Sequence, residues 1–226
     1  MVVDIINKTL KKDVITKKEN TDKTYRSVLF PYFDGHFYEK LGTSIIFGTK
    51  VDQLSTKIFL PFELKNSLEK TTFQNHAFVS KSKTLLDFKK ETPASWWNNV
   101  YSYIILLSFI VLINKKFIDK IYLFILSVMG IFFFSVGFYS FHQELAMNYN
   151  ILLFSPFLLI LIILSAFKNK KWTYKFAVLH LVLLLIYTLF IINKAHFFIV
   201  LPMIFTSGIV LVRVAIRNKK RIPIII

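Results

Sequence analysis

Residues 121–141 have the sequence IYLFILSVMGIFFFSVGFYSF, in which no side chain is charged. A helix that crosses the hydrocarbon core of a bilayer needs about 20 predominantly apolar residues. The apolar residues form a continuous run here, without the alternation that is typical of a half-buried strand. The stretch therefore predicts a membrane-spanning helix.

Four further apolar runs lie in the same part of the chain. With the first they predict a mainly α fold with a five-span transmembrane helical bundle, at residues 96–113, 121–141, 151–167, 176–192 and 197–216. Several runs are near the minimum length of a span, so we expect Lys175, Lys194 and Arg213 to extend their charged ends to the interface. Gly130 and Gly137 suit close helix contact, and Pro156 predicts a kink.

The composition excludes several classes of protein. The chain of 226 residues is 54% hydrophobic and 17% aromatic, with a mean hydropathy of +0.53, which excludes disorder and disfavours a single soluble globule. It contains no cysteine, which excludes disulfides, thiolate metal sites and a cysteine nucleophile in this chain. Asp34, His36 and Glu39 have no ligand spacing, so we expect neither a metal site nor a cofactor.

The positive charge is concentrated beside the predicted spans. Residues 100–226 hold 13 Lys and Arg against two acidic residues, and the net charge of the whole chain is +16. If residues 1–95 are extracytoplasmic, the cytoplasmic loops and tail carry 12 basic residues and the outer loops only Lys194. This asymmetry predicts an N-terminus outside and a C-terminus in the cytoplasm, and it accounts for the charge without nucleic acid.

Residues 1–95 predict a short, polar extracytoplasmic segment. Helices are expected at 2–12, 25–30, 38–47 and 61–70, with Pro61 at a first helical position, and a hairpin between 78–79 and 85–86. The apolar content is too small for an independent core. We therefore expect this segment to complete a larger domain or to lie on the membrane surface.

Polar residues between the second and third spans are candidates for binding a lipid head group or a partner: His142, Glu144, Asn148 and Asn150. The alternative is that these residues cap helices, since Asn is favoured before a first turn. A fifth candidate, His180, lies within the fourth span, where an ionisable group indicates function. Its structural alternative is a hydrogen bond to Ser165, Thr206 or Ser207.

Two stretches of the chain resemble the Lnb-like family, which pairs an extracytoplasmic papain-like domain with a multi-span membrane domain. The first comprises Leu41-Gly42, Gly48, Asp52, Ser55 and the run Ile58-Phe59-Leu60-Pro61-Phe62-Glu63-Leu64. The second comprises Ser140-Phe141-His142, the run Asn148-Tyr149-Asn150-Ile151-Leu152 and Pro156. The chain departs from the family pattern at Phe141 and Ser44, where the family usually has Asp.

The resemblance implies a role in lipoprotein N-acylation at the bacterial inner membrane. In the better-understood members an acyl chain moves from the glycerol of a lipid-modified N-terminal cysteine to its amino group. The family's proposed catalytic Cys and His lie before Val3-Asp4-Ile5-Ile6, which resembles the helix after the family's Asn-Cys motif. We therefore expect the chain to be the C-terminal part of such a protein and to be inactive without an upstream catalytic domain. Its expected partner is a lipoprotein or the lipid moiety of a lipoprotein. Alternatives are a non-catalytic membrane anchor or assembly subunit and, less favoured, a small transporter.

Overall fold

A computed structural model describes residues 2–86 and 95–219 of the chain. The chain forms two compact units, the first from Met1–Tyr32 with Val51–Thr92 and the second from Phe33–Lys50 with Pro93–Ile226. Residues 33–50, which the sequence analysis grouped with the polar segment, thus belong to the same unit as the apolar helices. Lys220 and Arg221, counted in the charge asymmetry, lie outside the described residues.

The structure is mainly helical. Its α-helices are α1 (Val2–Thr9), α2 (Tyr25–Leu29), α3 (Phe37–Ile46), α4 (Pro61–Glu69), α5 (Val100–Ile113), α6 (Lys116–Tyr139), α7 (Leu158–Ala166), α8 (Lys170–Ile191) and α9 (Phe197–Asn218). Single 3₁₀ turns occur at Phe30–Phe33, Thr49–Asp52 and Tyr149–Leu152. The strands β1 (Thr72–Phe73) and β2 (His76–Ala77) form one antiparallel hairpin.

The first unit contains α1, α2, α4 and the hairpin. Helix α4 begins at Pro61, as expected, because proline lacks only a donor that the first turn leaves unused. The expected pairing of 78–79 with 85–86 is wrong, since residues 78–86 contain no strand. The chain turns earlier, at Gln74 and Asn75, whose φ angles of 51° and 64° suit the tight turn of a two-residue hairpin.

Three helices of the described chain, α6, α8 and α9, are long and apolar enough to cross a membrane. The first predicted run, 96–113, forms the shorter helix α5 of 14 residues. Asn99 caps its start by accepting hydrogen bonds from the backbone N–H groups of Tyr101 and Ser102, both at 3.0 Å. Its end is set by Asn114, which adopts the left-handed conformation with a φ of 50°.

The third predicted run, 151–167, is not one helix. A 3₁₀ turn at Tyr149–Leu152 is followed by an irregular stretch, and α7 has only nine residues. Pro156 lies in the irregular stretch, where it removes a backbone donor, and its carbonyl accepts a 2.9 Å hydrogen bond from Ser127 Oγ. A β carbon on Gly130 would lie 1.7 Å from the Phe154 carbonyl oxygen, so glycine permits α6 to approach this break.

The second unit is a bundle in which α8 and α9 form the central pair. Helix α7 packs between α8 and α6, while α5 packs on α9 and α6, and α3 also contacts α9. The outward faces stay apolar: Phe124, Ile125 and Phe132 on α6 and Leu185 on α8 are about half exposed or more. Such continuous exposed apolar surface is typical of a membrane protein and unusual in a soluble monomer.

Candidate functional site

Two asparagines of the α6–α7 loop hold the end of α3. Helix α3 ends at Ile46, so its last carbonyl groups have no partner within the helix. Asn148 Nδ2 donates to the carbonyl oxygens of Ile45 and Ile46, both at 2.9 Å. Its Oδ1 accepts from the backbone N–H of Asn150 at 2.9 Å, which makes Asn148 the cap of the following 3₁₀ turn. One side chain thus joins two elements about a hundred residues apart in sequence.

Asn150 is fully buried at the centre of this junction. Its Nδ2 lies 2.8 Å from Asn148 Oδ1 and 3.0 Å from the Ile45 carbonyl oxygen. Its Oδ1 accepts a 2.7 Å hydrogen bond from the hydroxyl of Tyr187, which is buried on α8. The amide therefore bonds through both of its polar atoms to α3, the loop and α8, as a buried polar group requires.

Backbone contacts complete the junction. The Gly48 N–H, just beyond α3, donates to the Glu144 carbonyl at 2.8 Å. A β carbon on Gly48 would lie 1.9 Å from the Ala146 carbonyl oxygen, so the loop can approach only a glycine here. The Glu144 carboxylate lies 3.7 Å from Lys50 Nζ in a half-exposed ion pair. We call the set Gly48, Glu144, Asn148, Asn150 and Tyr187 the α3 junction.

A second polar contact adjoins the α3 junction. The Tyr149 hydroxyl lies 3.3 Å from Nε2 of His196, and both residues are buried. Lys194 Nζ lies 4.9 Å from the Tyr149 ring centroid and 4.7 Å from that of Phe190, within cation–π range. The sequence pattern does not mark Tyr149, Tyr187 and His196 as site residues. A pattern of single tyrosines near span ends does not distinguish them from an interfacial aromatic belt.

The structure separates the five predicted site residues into three groups. Glu144, Asn148 and Asn150 meet at the α3 junction, whereas His142 is exposed in the same loop. His180 is buried seven residues before Tyr187 on α8, which is about 10 Å along the helix axis. The structure therefore does not unite the histidines with the asparagines.

The hydrogen bond of His180 is made within its own helix, and not to a neighbouring helix as expected. Its Nδ1 lies 2.7 Å from the carbonyl oxygen of Phe176, one turn earlier on α8. Of the expected partners, Thr206 donates to the Pro202 carbonyl and Ser207 lies 2.8 Å from the Tyr122 hydroxyl. His180 thus bonds within its own helix, and Ser207 takes part instead in a polar contact between α6 and α9 that Tyr122 makes.

A charged cluster lies near the C-terminal end of α9. Asp119, only 1% exposed, accepts a 2.5 Å hydrogen bond from Arg217 Nη1, and its Oδ1 lies 3.5 Å from Arg213 Nη1. Arg213 also donates to the Ile110 and Val111 carbonyls, near the end of α5. The extension of Arg213 to a membrane interface stays a prediction; in the fold its side chain is 17% exposed and lies against α5.

The first unit has two buried ion pairs of its own. Lys17 Nζ lies 2.6 Å from Glu63 Oε1 and contacts Ser55 Oγ, while Arg26 Nε donates to Asp52 Oδ1 at 2.6 Å. The Ser55 hydroxyl is fully buried, and the Lys17 ammonium beside it is paired with the Glu63 carboxylate. These residues connect the loop at 13–24 and α2 to the stretch that begins at Val51.

The polar groups of the α3 junction can fix backbone and can donate or accept hydrogen bonds, but the chain supplies no thiol for acyl transfer. No family model, curated protein or solved structure matches the chain. Any function must therefore be argued from the residues themselves.

Proposed function

We propose that the chain is the membrane-embedded part of an Lnb-like lipoprotein N-acyltransferase-type protein. The observation that supports this most directly is the α3 junction. Residues 41–48 of the first stretch are about a hundred residues from the second stretch, and the two meet where Asn148 donates to the carbonyls of Ile45 and Ile46 and Gly48 donates to Glu144. Residues of a shared motif that meet in space are expected to serve one purpose.

The proposed arrangement has five membrane segments in the bacterial inner membrane. Helices α6, α8 and α9 are the long ones, α5 is shorter, and the broken third run supplies the remaining segment. Basic residues follow α5, α7 and α9, and this asymmetry supports a cytoplasmic location for those ends and an extracytoplasmic location for residues 1–95 and the 141–150 loop. The α3 junction then lies at the outer surface, where lipoproteins are modified.

In this role the chain would present a lipid-bearing substrate instead of attacking it. Because the chain contains no cysteine, a thioester intermediate requires a thiol outside this sequence. The α3 junction would hold the loop and α3 in the orientation that the thiol-bearing domain recognises. The partners are the bilayer, a lipoprotein or its lipid moiety, and that domain.

The test is reconstitution in a bacterium that lacks lipoprotein N-acylation. The chain is expressed with a lipoprotein reporter, with and without a papain-like domain of the Lnb-like type, and the reporter's N-terminal peptide is analysed by mass spectrometry. We expect the acyl group on the amino nitrogen only when both proteins are present. Acylation that is equally efficient without the chain would contradict the proposal.

The second candidate is a non-catalytic anchor or assembly subunit that docks an extracytoplasmic partner. It is favoured by the fact that the Asn148 and Asn150 amides bond to the protein's own backbone and to Tyr187, as in a structural joint. Cross-linking from the 141–150 loop distinguishes the two. A captured protein whose recovery is unaffected by loss of lipoprotein substrate supports the anchor, and capture of the lipoprotein itself supports the acyltransferase.

A further inference from the structure

Two apolar grooves flank the outward face of α9. One lies between α8 and α9, with a volume of about 460 Å³, and Arg213 is its only charged lining residue. The other lies between α5 and α9, with a volume of about 300 Å³, and Ser108 is among its lining residues. The grooves share Phe205 and Ile209, so a single ridge of side chains separates them.

The longer of the two grooves has the length of one leaflet. The α8–α9 groove runs along α9 from Ile204 to Arg213, which is about 14 Å at 1.5 Å per residue. Half of the hydrocarbon core of a bilayer is about 15 Å thick. An acyl chain that filled this groove would therefore extend from the middle of the bilayer to the level of the arginine.

The charged cluster at that end has an excess of positive charge. Arg213 and Arg217 share the single carboxylate of Asp119, and their side chains are 17% and 25% exposed. Lys115, Lys116 and Lys120 lie at the same ends of α5 and α6, and no described acidic residue other than Asp119 lies on α5, α6 or α9. Partly buried charges are screened less than exposed ones, so an anion at the mouth of the groove is stabilised.

We propose that α9 binds one anionic glycerophospholipid. Its two acyl chains occupy the two grooves on either side of the Phe205–Ile209 ridge, and its phosphate lies against the guanidinium of Arg213. The two-groove geometry selects a lipid with two chains, and the unbalanced arginine selects a negative head group. This site depends on insertion of α9 into a bilayer and is independent of any acyl transfer.

The head-group part of the proposal is tested with the unmodified full chain. The chain is reconstituted in nanodiscs of equal parts phosphatidylglycerol and phosphatidylcholine and then delipidated with mild detergent, and retained lipids are measured by native mass spectrometry. We expect phosphatidylglycerol to be retained with a preference of roughly tenfold, the size of one charge-assisted hydrogen bond. Equal retention of the two lipids would overturn the proposal.

The two-chain part is tested with a matched pair of variants. Ser108 and Ser135 are both exposed on apolar helices, but only Ser108 lines a groove. Ser108→Phe fills the α5–α9 groove and should lower phosphatidylglycerol retention by roughly tenfold, since a blocked chain loses several buried methylenes. Ser135→Phe should leave retention unchanged.

The single-chain lyso form should compete at least roughly tenfold less well than the diacyl lipid. An effect of both variants alike, or equal competition by the lyso form, would contradict two-groove binding.

Discussion

At the scale of single residues, glycines of the second unit occupy very different environments. A β carbon would meet the Ala146 carbonyl oxygen at Gly48 and the Phe154 carbonyl oxygen at Gly130, whereas at Gly42 on α3 nothing lies within 4 Å. The sequence predicts that Gly130 makes close contact with a neighbouring helix. The contact is instead with the irregular backbone beside Pro156, which a pattern of apolar letters cannot reveal.

Replacement of Gly130 and of Gly42 by alanine should therefore change the stability of the protein in opposite directions. Gly130→Ala forces the break at Phe154 away from α6 and should lower the free energy of unfolding by about 1–3 kcal/mol. Gly42→Ala, the control, should raise it by up to about 1 kcal/mol because alanine is the better helix former. Thermal unfolding in a mild detergent measures both. Equal behaviour of the two variants would show that the Gly130 contact is not formed.

Asn150 and Tyr187 should be energetically coupled. Asn150→Leu removes the acceptor of the Tyr187 hydroxyl bond and one of the two donors to the Ile45 carbonyl, and we expect the free energy of unfolding to fall by about 1–3 kcal/mol. Tyr187→Phe should cost less, and the double variant should be less unstable than the sum of the single ones. A double-mutant cycle measured by chemical unfolding checks this. Strict additivity would mean that the 2.7 Å bond contributes nothing.

Glu39, on the exposed side of α3, should make stability depend on pH. The Asn98 amide donates to its carboxylate at 2.9 Å and lowers the pKa of Glu39. The stabilisation is complete above the ordinary glutamate pKa of about 4.3 and is lost as the pH falls through the lower pKa of the folded state. The measurement is the unfolding temperature between pH 6 and pH 3, compared with Glu39→Gln. An identical pH profile for both proteins would contradict the assignment.

At the scale of elements, the lengths of the apolar runs predict three helices well and two poorly. Helices α6, α8 and α9 form where long apolar runs lie, although α6 begins at Lys116 and α8 at Lys170, a few residues before the runs. The third run has the composition of a span, yet Pro156 interrupts it, and the polar Asn150 directly before it is bonded to α3 and α8. Helix α5 ends at Ile113, as the run predicts, but it begins only at Val100, and two arginines a hundred residues later in the chain bond to the carbonyls at its end. Such distant partners are invisible in the local pattern.

The ion cluster that joins α5, α6 and α9 should depend strongly on its one carboxylate. Asp119→Ala leaves two guanidinium groups facing each other at low exposure and should destabilise the protein by about 3–5 kcal/mol. Lys120→Ala, at the adjacent position outside the cluster, is the matched control and should have little effect. The recovery of monodisperse protein after extraction, together with its unfolding temperature, reports the difference. A stable Asp119→Ala protein would show that the arginines need no counterion.

At the scale of the whole molecule, charge and hydropathy predict the membrane class, and the structure shows three helices that could span. The distribution of basic residues further predicts the topology. Because the chain lacks cysteine, single cysteines at Phe141 and Lys171, both exposed, give unambiguous probes. A membrane-impermeant maleimide added to intact spheroplasts should label Phe141→Cys and leave Lys171→Cys unmodified until the cells are opened. Labelling in the reverse order would overturn the orientation.

The contacts from Arg213 to the end of α5 have a consequence for how the protein is made. Among the described apolar helices, α5 is synthesised before α9. Until α9 is made, the carbonyls of Ile110 and Val111 lack the guanidinium donors that Arg213 supplies in the finished fold. A chain truncated before Arg213 would therefore leave the end of α5 without this support, and we expect it to be degraded faster than the full chain.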